Sequence, residues 1–313
     1  MKTQLRIFTM LLVTILCLGN PNAAKAQYDF VYTQYMWNEL AINPAYAGSR
    51  DALSLVGLYR NQWVGMPGSP VTTNISINAP IFNYRVGLGL NYMRDEIGIT
   101  KSDYVGLSYS YRLRFSNSNL SLGLSTTLTT RKELYSQLET NGYDPILMSD
   151  SKRAYMPNAS FGAYYFTDSY YFGFSIPRLV HNQISGDADF TVTNKFDVKY
   201  FHYYFTAGTI FKLNRWLKMQ PSGMLMAVSG APVKANLTGQ LVFNDMFWVG
   251  AGWNSGDGVS FLATVYVVPQ LRIGYAYDYT TSELADYSKG THEISIGYDF
   301  NLGTKKIVSP RYF

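Results

Sequence analysis

Val71-Thr72-Thr73-Asn74-Ile75-Ser76-Ile77-Asn78 is the stretch that decides the fold. Successive side chains of a strand point to opposite faces, so Val71, Thr73, Ile75 and Ile77 lie on one side and Thr72, Asn74, Ser76 and Asn78 on the other. One face is apolar and the other polar. The pattern recurs along nearly the whole chain in pieces of about ten residues cut by turn residues. In Tyr109-Ser110-Tyr111-Arg112-Leu113-Arg114-Phe115, Tyr109, Tyr111, Leu113 and Phe115 share a face. Leu271, Ile273, Tyr275, Tyr277 and Tyr279 do the same, opposite Arg272, Gly274, Ala276 and Asp278. Charged residues keep to the small-or-polar phase, as a lumen requires, because a lipid-facing Arg or Lys near the midplane costs about 2–4 kcal/mol. Such a series, with aromatic ends and no helical stretch, describes an all-β chain: a transmembrane antiparallel up-and-down β-barrel of the outer membrane.

Fourteen segments read as strands, over 51–60, 70–78, 84–95, 102–115, 119–130, 157–167, 169–176, 199–212, 216–228, 232–243, 246–254, 258–267, 269–280 and 290–300. Connection lengths test this independently, since barrels of this kind have short periplasmic turns and longer outer loops. The short connections Ser116-Asn117-Ser118-Asn119, Thr167-Asp168-Ser169, Asn244-Asp245 and Val268-Pro269 fall on one side. The long loops near 131–156 and 177–198 fall on the other, where Ser229-Gly230-Ala231 is a short exception. A soluble β-sandwich is the alternative architecture, but it needs neither aromatic ends nor loop asymmetry.

The N-terminus carries Lys2 and Arg6, then an apolar run from Ile7 to Gly19, then Ala24-Lys25-Ala26. This is the layout of a secretory signal over 1–26 with cleavage before Gln27, and the run is shorter than the about 20 residues a membrane helix needs. Cys17 is the only cysteine and lies inside that signal; Leu16 before it and the later Ala24-Lys25-Ala26 site argue against a lipoprotein. The mature chain then has no thiol chemistry. The 27 Tyr and 18 Phe favour a barrel, because aromatic rings gather where membrane meets water. The net charge of +5 is not clustered and does not point to nucleic acid.

Little in the chain reads as chemistry. His181, His202 and His292 are not at metal-ligand spacing, so no metal and no cofactor is expected. The pairs His292-Glu293 and Asp95-Glu96 read as solvated residues at strand ends rather than as a catalytic constellation. Gly87-Leu88-Gly89 and Gly250-Ala251-Gly252 lie inside strands, where glycine marks a bend or a close backbone approach, not a nucleotide loop. The chain is expected not to be an enzyme.

Two stretches stand apart. Tyr32 to Arg50 alternates poorly and carries Asn43-Pro44, so residues 27–50 read as an ordered lead-in at the periplasmic rim or tucked into the barrel of residues 51–300. It serves either as a plug and cap or as a partner contact. Arg60-Asn61-Gln62-Trp63-Val64-Gly65-Met66-Pro67-Gly68-Ser69-Pro70 sets a large aromatic among turn residues, which suits a packed loop or a recognition loop. Residues 301–313 form a tail.

In these stretches, Gln34-Tyr35-Met36 with Asn43-Pro44-Ala45-Tyr46-Ala47-Gly48, then Tyr59-Arg60-Asn61-Gln62-Trp63 and Gly68-Ser69-Pro70, closely resemble the PorP/SprF family. These are outer-membrane proteins of the type IX secretion system in Bacteroidetes. The likeness continues through Gly87-Leu88-Gly89, Asp95-Glu96-Ile97-Gly98 and His292-Glu293-Ile294. The resemblance implies a multi-pass protein of the outer membrane that assists export and surface attachment of a cognate adhesin or enzyme. It also implies contacts with outer-membrane lipid and with other type IX components on the periplasmic side, and in some members support of gliding motility. Gln34, Tyr35, Met36, Asn43, Pro44, Tyr46, Gly48, Arg60, Gln62 and Trp63 carry the motif and are its candidate partner-contact or plug residues. A passive channel or small-molecule transporter of the same architecture is the alternative, and it requires an open lumen. The alternation further predicts that Ile75→Arg is costly, because Ile75 faces lipid, while Asn74→Arg is tolerated, because Asn74 faces the lumen.

Overall fold

The structure is a computed structural model that describes residues 31–138, 149–186, 189–256 and 258–300. The expected signal and tail, with Tyr143 and Asp187 of the long loops, lie outside the described residues. Among the described residues seventeen strands follow one another: β1 (Leu53–Asn61), β2 (Val71–Ile81), β3 (Val86–Ile97), β4 (Thr100–Arg114), β5 (Asn119–Glu133), β6 (Ala154–Phe166), β7 (Tyr170–Ile176), β8 (His181–Ser185) and β9 (Thr191–Lys195) in the first half. The second half holds β10 (His202–Thr209), β11 (Phe211–Lys212), β12 (Leu217–Val228), β13 (Lys234–Phe243), β14 (Phe247–Asn254), β15 (Gly258–Val268), β16 (Leu271–Thr280) and β17 (Thr291–Phe300).

Each barrel strand pairs antiparallel with its neighbours, β1 pairs with β17, and β10 pairs with both β7 and β12, so the sheet closes on itself. Strand β11 prolongs the line of β10 against β12. Between them the β12 register passes from Ser222 to Met219 across Pro221, which has no N–H to give to a ladder. Counting β10 and β11 as one gives fourteen barrel strands, the number and order read from the sequence. Closure removes the free edges that lipid cannot satisfy. The strands β8 and β9 pair only with each other, as a hairpin within the long connection from β7 to β10. The sequence left this segment as irregular loop.

The two faces follow the alternation. On β2, Thr72, Asn74, Ser76 and Asn78 are buried inside while Ile75 and Ile77 are exposed outside. On β16, Arg272 and Asp278 are buried inside, and Ile273, Tyr275 and Tyr279 face out. Turns 82–85, 115–118, 167–169, 244–246 and 269–270 gather at one rim, which short turns mark as periplasmic. The strand ends at Glu133, Ala154, Ile176, His202, Thr280 and Thr291, which flank the longer connections, stand at the outer rim, as does the two-residue turn 98–99.

Candidate functional site: the filled lumen and the outer loops

The lumen is occupied by the chain's own lead-in. Between Tyr32 and Arg50 every residue except Ala41 is buried. Three single 3-10 turns, Tyr35–Trp37, Glu39–Ala41 and Pro44–Tyr46, fold the segment compactly. The last is started by Asn43, whose side chain accepts from the Ala45 amide, with Pro44 needing no partner for a missing N–H.

Short turns leave backbone groups unpaired, and buried ones need partners. The barrel wall supplies them. Glu293 accepts from the amides of Thr33 (3.0 Å) and Gln34 (2.8 Å), and Asn78 accepts from the Gly48 amide (3.0 Å). In the other direction, Arg272 donates to the Trp37 carbonyl (2.8 Å), Ser175 to Ile42 (2.7 Å) and Ser110 to Ala47 (2.8 Å). Asn38 donates to Asn74 and accepts from Ser76. Apolar packing completes the fit: Tyr35, Met36, Trp37 and Ile42 pack with Tyr204, Met224, Val242, Trp248, Leu262 and Tyr266. Trp37 meets Trp248 edge-on at 4.9 Å between ring centroids. A second cluster joins Leu40, Ala45, Tyr46 and Ala47 to Tyr164, Phe166 and Tyr171.

The direction of the segment is set by two ionic clamps. Arg60 bonds Asp278 at 2.8 Å and Glu293 at 3.0 Å, and the Thr33 hydroxyl joins them near the outer ends of β1, β16 and β17. Arg50 bonds Asp299 at 2.8 Å at the periplasmic end of β17. The lead-in therefore begins near the outer rim and descends to the periplasmic rim, where β1 starts. Of the two placements expected, the interior one is observed, and only its last residues reach the periplasmic side.

The motif residues divide accordingly. Gln34, Tyr35, Met36, Asn43, Pro44, Tyr46 and Gly48 are buried in the lumen, and Arg60 meets them from the wall. Gln62 and Trp63 are elsewhere, in the loop from β1 to β2, half-buried. That loop is packed against the one before β17: the Trp63 amide donates to Thr291 Oγ1, Val64 to the Gly290 carbonyl and Lys289 to the Val64 carbonyl.

The alternation places Arg112, Arg272 and Asp278 in the lumen phase without giving them a role, does not mark Asp299, and misjudges Glu293. Glu293 is not a solvated strand-end residue: it is 0 % exposed, covered by the lead-in. Its neighbour His292 points to the other face, with Nδ1 2.7 Å from the Tyr275 hydroxyl. The available signal was charge in the small-or-polar phase of a strand. Asp95 accepts from Thr72 (2.6 Å), and Glu96 pairs with Lys101 at 3.4 Å.

Glycines make the close approach possible. A Cβ on Gly123 would lie 2.3 Å from the Ala45 amide nitrogen, and one on Gly87 would lie 2.0 Å from the Ala47 carbonyl oxygen. Gly123→Val is expected to cost about 1–3 kcal/mol by overpacking and to loosen the lead-in. Limited proteolysis of the purified barrel checks this: the variant is cut within residues 32–50 while the strands stay protected. Unchanged protection would contradict the tight fit.

The outer loops are the other candidate surface. The β8–β9 hairpin is tied to β6 through Asn182, which donates to the Pro157 carbonyl at 3.1 Å, and through Asn158, which donates to the Val180 carbonyl. Lys152 pairs with Asp189 (2.7 Å), joining the two long loops, and Lys132 pairs with Asp150 (2.8 Å). Lys132, with help from Ser136, holds the Asp150 carboxyl down to about 2. His181 stacks on Tyr200 at 3.9 Å, and Tyr155, Phe196 and Val198 are exposed.

A family model described as the type IX secretion system membrane protein PorP/SprF matches residues 24–298. No curated protein matches the sequence. Among solved structures, the Acinetobacter baumannii outer membrane protein Omp33 aligns at 8% identity over 80% of this chain and 98% of its own, with a TM-score of 0.46. A Pseudomonas aeruginosa FadL homologue aligns at 12% identity over 83% and 94%, TM-score 0.44. The CymD monoaromatic hydrocarbon channel aligns at 13% over 88% and 94%, TM-score 0.48.

Proposed function

Because the chain belongs to the PorP/SprF family of type IX secretion system membrane proteins, we propose that this outer-membrane barrel assists export and surface attachment of a cognate adhesin or enzyme. It does so by binding and not by catalysis. Support of gliding motility, through the exported partner, belongs to the same proposal.

The observation that carries this reading is the filled lumen. A passive channel needs a path, and here the nineteen positions from Tyr32 to Arg50 are packed and hydrogen-bonded across it. Recognition then falls to the rims. The loops near 131–156 and 177–198 are the longest outer connections, and they combine charge with aromatic groups: Arg131, Lys132, Lys152, Arg153, Tyr155 and His181, with Phe196 exposed beside them. Other type IX components would meet the short-turn rim on the periplasmic side.

Exchanging both loops for those of a paralogue tests the proposal, with barrel abundance checked by heat-modified migration. Surface display of the cognate adhesin or enzyme should fall, and that of the paralogue's partner should rise. Unchanged display from a properly inserted chimaera would make the loops lids and move recognition elsewhere.

A further inference from the structure

The hairpin of β8 and β9 is a sheet of two strands without a third. An isolated hairpin is marginal in water, so something outside it must hold it in place. Side chains do this. Asn158 of β6 donates to the Asn182 side-chain oxygen at 3.0 Å, and Asn182 donates across the hairpin to Asn194 at 2.8 Å. Lys152 pairs with Asp189 in the connection between the two strands. Among the described residues, no backbone–backbone hydrogen bond joins residues 181–185 or 191–195 to any other part of the chain. The hairpin is fixed by one face and its tip, and its edges stay open.

The two edges differ. Strand β8 follows Leu179, whose amide donates to the Ala159 carbonyl of β6 at 2.9 Å, and His181, Asn182 and Ile184 are half-buried. Strand β9 is exposed at every residue but Val192. It reads Thr191-Val192-Thr193-Asn194-Lys195, in regular register and without proline. Proteins blunt a free edge with proline, a bulge or charge, because its unpaired N–H and C=O groups template another strand. Here Lys195, at the strand's end, is the one such device, and it turns away cationic strands while leaving acidic ones a partner.

The side chains describe the strand that fits. Residues of an added strand would stand opposite those of β9 on each face. One phase of β9 holds Val192, followed beyond the strand by Phe196, 72% exposed. The other holds Thr191, Thr193 and Lys195. Lys195 faces His181 across the hairpin, not an acid. The acids nearby are engaged: Asp189 by Lys152, and Asp197 by the Lys199 amide at 3.0 Å. Complementarity asks for acidic residues in the Lys195 phase and apolar ones in the Val192 phase.

We propose that the free edge of β9 binds the exported partner by strand addition, taking an extended segment that alternates apolar and acidic residues. This rests on the outer-loop reading above and adds its binding mode, in which main-chain pairing supplies affinity and the two phases of β9 supply choice.

The test uses the full-length protein in nanodiscs and a fluorescent peptide of alternating valine and glutamate. N-methylation at every glutamate leaves the peptide one free edge, and N-methylation at every residue leaves none. The first form should bind and the second should not. Replacing residues 181–195 by a glycine–serine linker, with barrel abundance checked, should abolish binding. Lys195→Glu with Lys199→Glu should weaken it about tenfold, or about 1.4 kcal/mol, and should admit a valine–lysine peptide instead. No binding of the first form, equal binding of both methylated forms, or binding that survives loss of the hairpin overturns the proposal. So does self-association of the purified protein that disappears with the hairpin, which would assign the edge to a second copy. If the edge fails while loop exchange still redirects display, the outer loops recognise by side chains alone; if the edge binds while loop exchange changes nothing, the outer-loop reading is the one that falls.

Discussion

Arg60→Met is expected to destabilise the barrel by about 3–5 kcal/mol, because removing one partner of a buried ionic cluster strands the others. Arg60 is the cation shared by Asp278 and Glu293, and all three are buried. Without it two carboxylates face each other across the Thr33 hydroxyl, with that hydroxyl and the Thr33 and Gln34 amides as neutral donors. The cost would appear as a lower denaturant midpoint of the purified protein in detergent. Adding Asp278→Asn and Glu293→Gln to Arg60→Met should recover most of the loss, since neutral amides no longer need the cation. A single-variant loss below about 1 kcal/mol, the size of an exposed pair, would mean that the cluster is wetted and not sealed by the lead-in.

Ile75→Arg and Asn74→Arg are both expected to be damaging, in different ways. Ile75 faces lipid, 45% exposed on the outer surface, so an arginine there costs about 2–4 kcal/mol near the midplane and should lower the yield of insertion into vesicles. The sequence alone predicted that Asn74→Arg would be tolerated, and the structure corrects this. Asn74 is 0% exposed, donates to Asn91 at 2.8 Å and accepts from Asn38 of the lead-in at 2.6 Å. A guanidinium there has no room and leaves both asparagines without their partner, at about 1–3 kcal/mol for each effect. The variant should insert, then show a lower melting temperature and protease-sensitive residues 32–50. Thr129→Arg is the control: Thr129 lies on the same lumen phase near the outer end of β5 and is only partly buried, so a near-neutral result is expected. Should Asn74→Arg match Thr129→Arg, the lumen around Asn74 would be open.

The fold was legible because its signals are local. Each strand announces its own lipid face within about ten residues, and each short turn is closed by neighbours in sequence. Ile75, Tyr109 and Tyr275 face out where the alternation puts them, and the turns 82–85, 115–118, 167–169, 244–246 and 269–270 fall at one rim, although the short connections 98–99 and 229–233 lie at the other. The β8–β9 hairpin was missed because its alternation spans five residues a strand and is mostly polar on both faces.

The interior was not legible in the same way. A polar face looks the same in sequence whether it meets water or a packed polar chain. Asn74, Ser76, Asn78 and Glu293 could all have lined an aqueous channel. Their partners lie in the lead-in, up to about 260 residues away, as in the Thr33–Glu293 contact. The sequence by itself determined a closed barrel, its lipid face, its two rims and its family. Only the tertiary structure decided that the lumen is filled, that Asp299 answers to Arg50 and Asp278 and Glu293 to Arg60, and that Gly87 and Gly123 are small to admit a second backbone. Alternation reports which face avoids lipid, and only long-range packing reports what occupies the other.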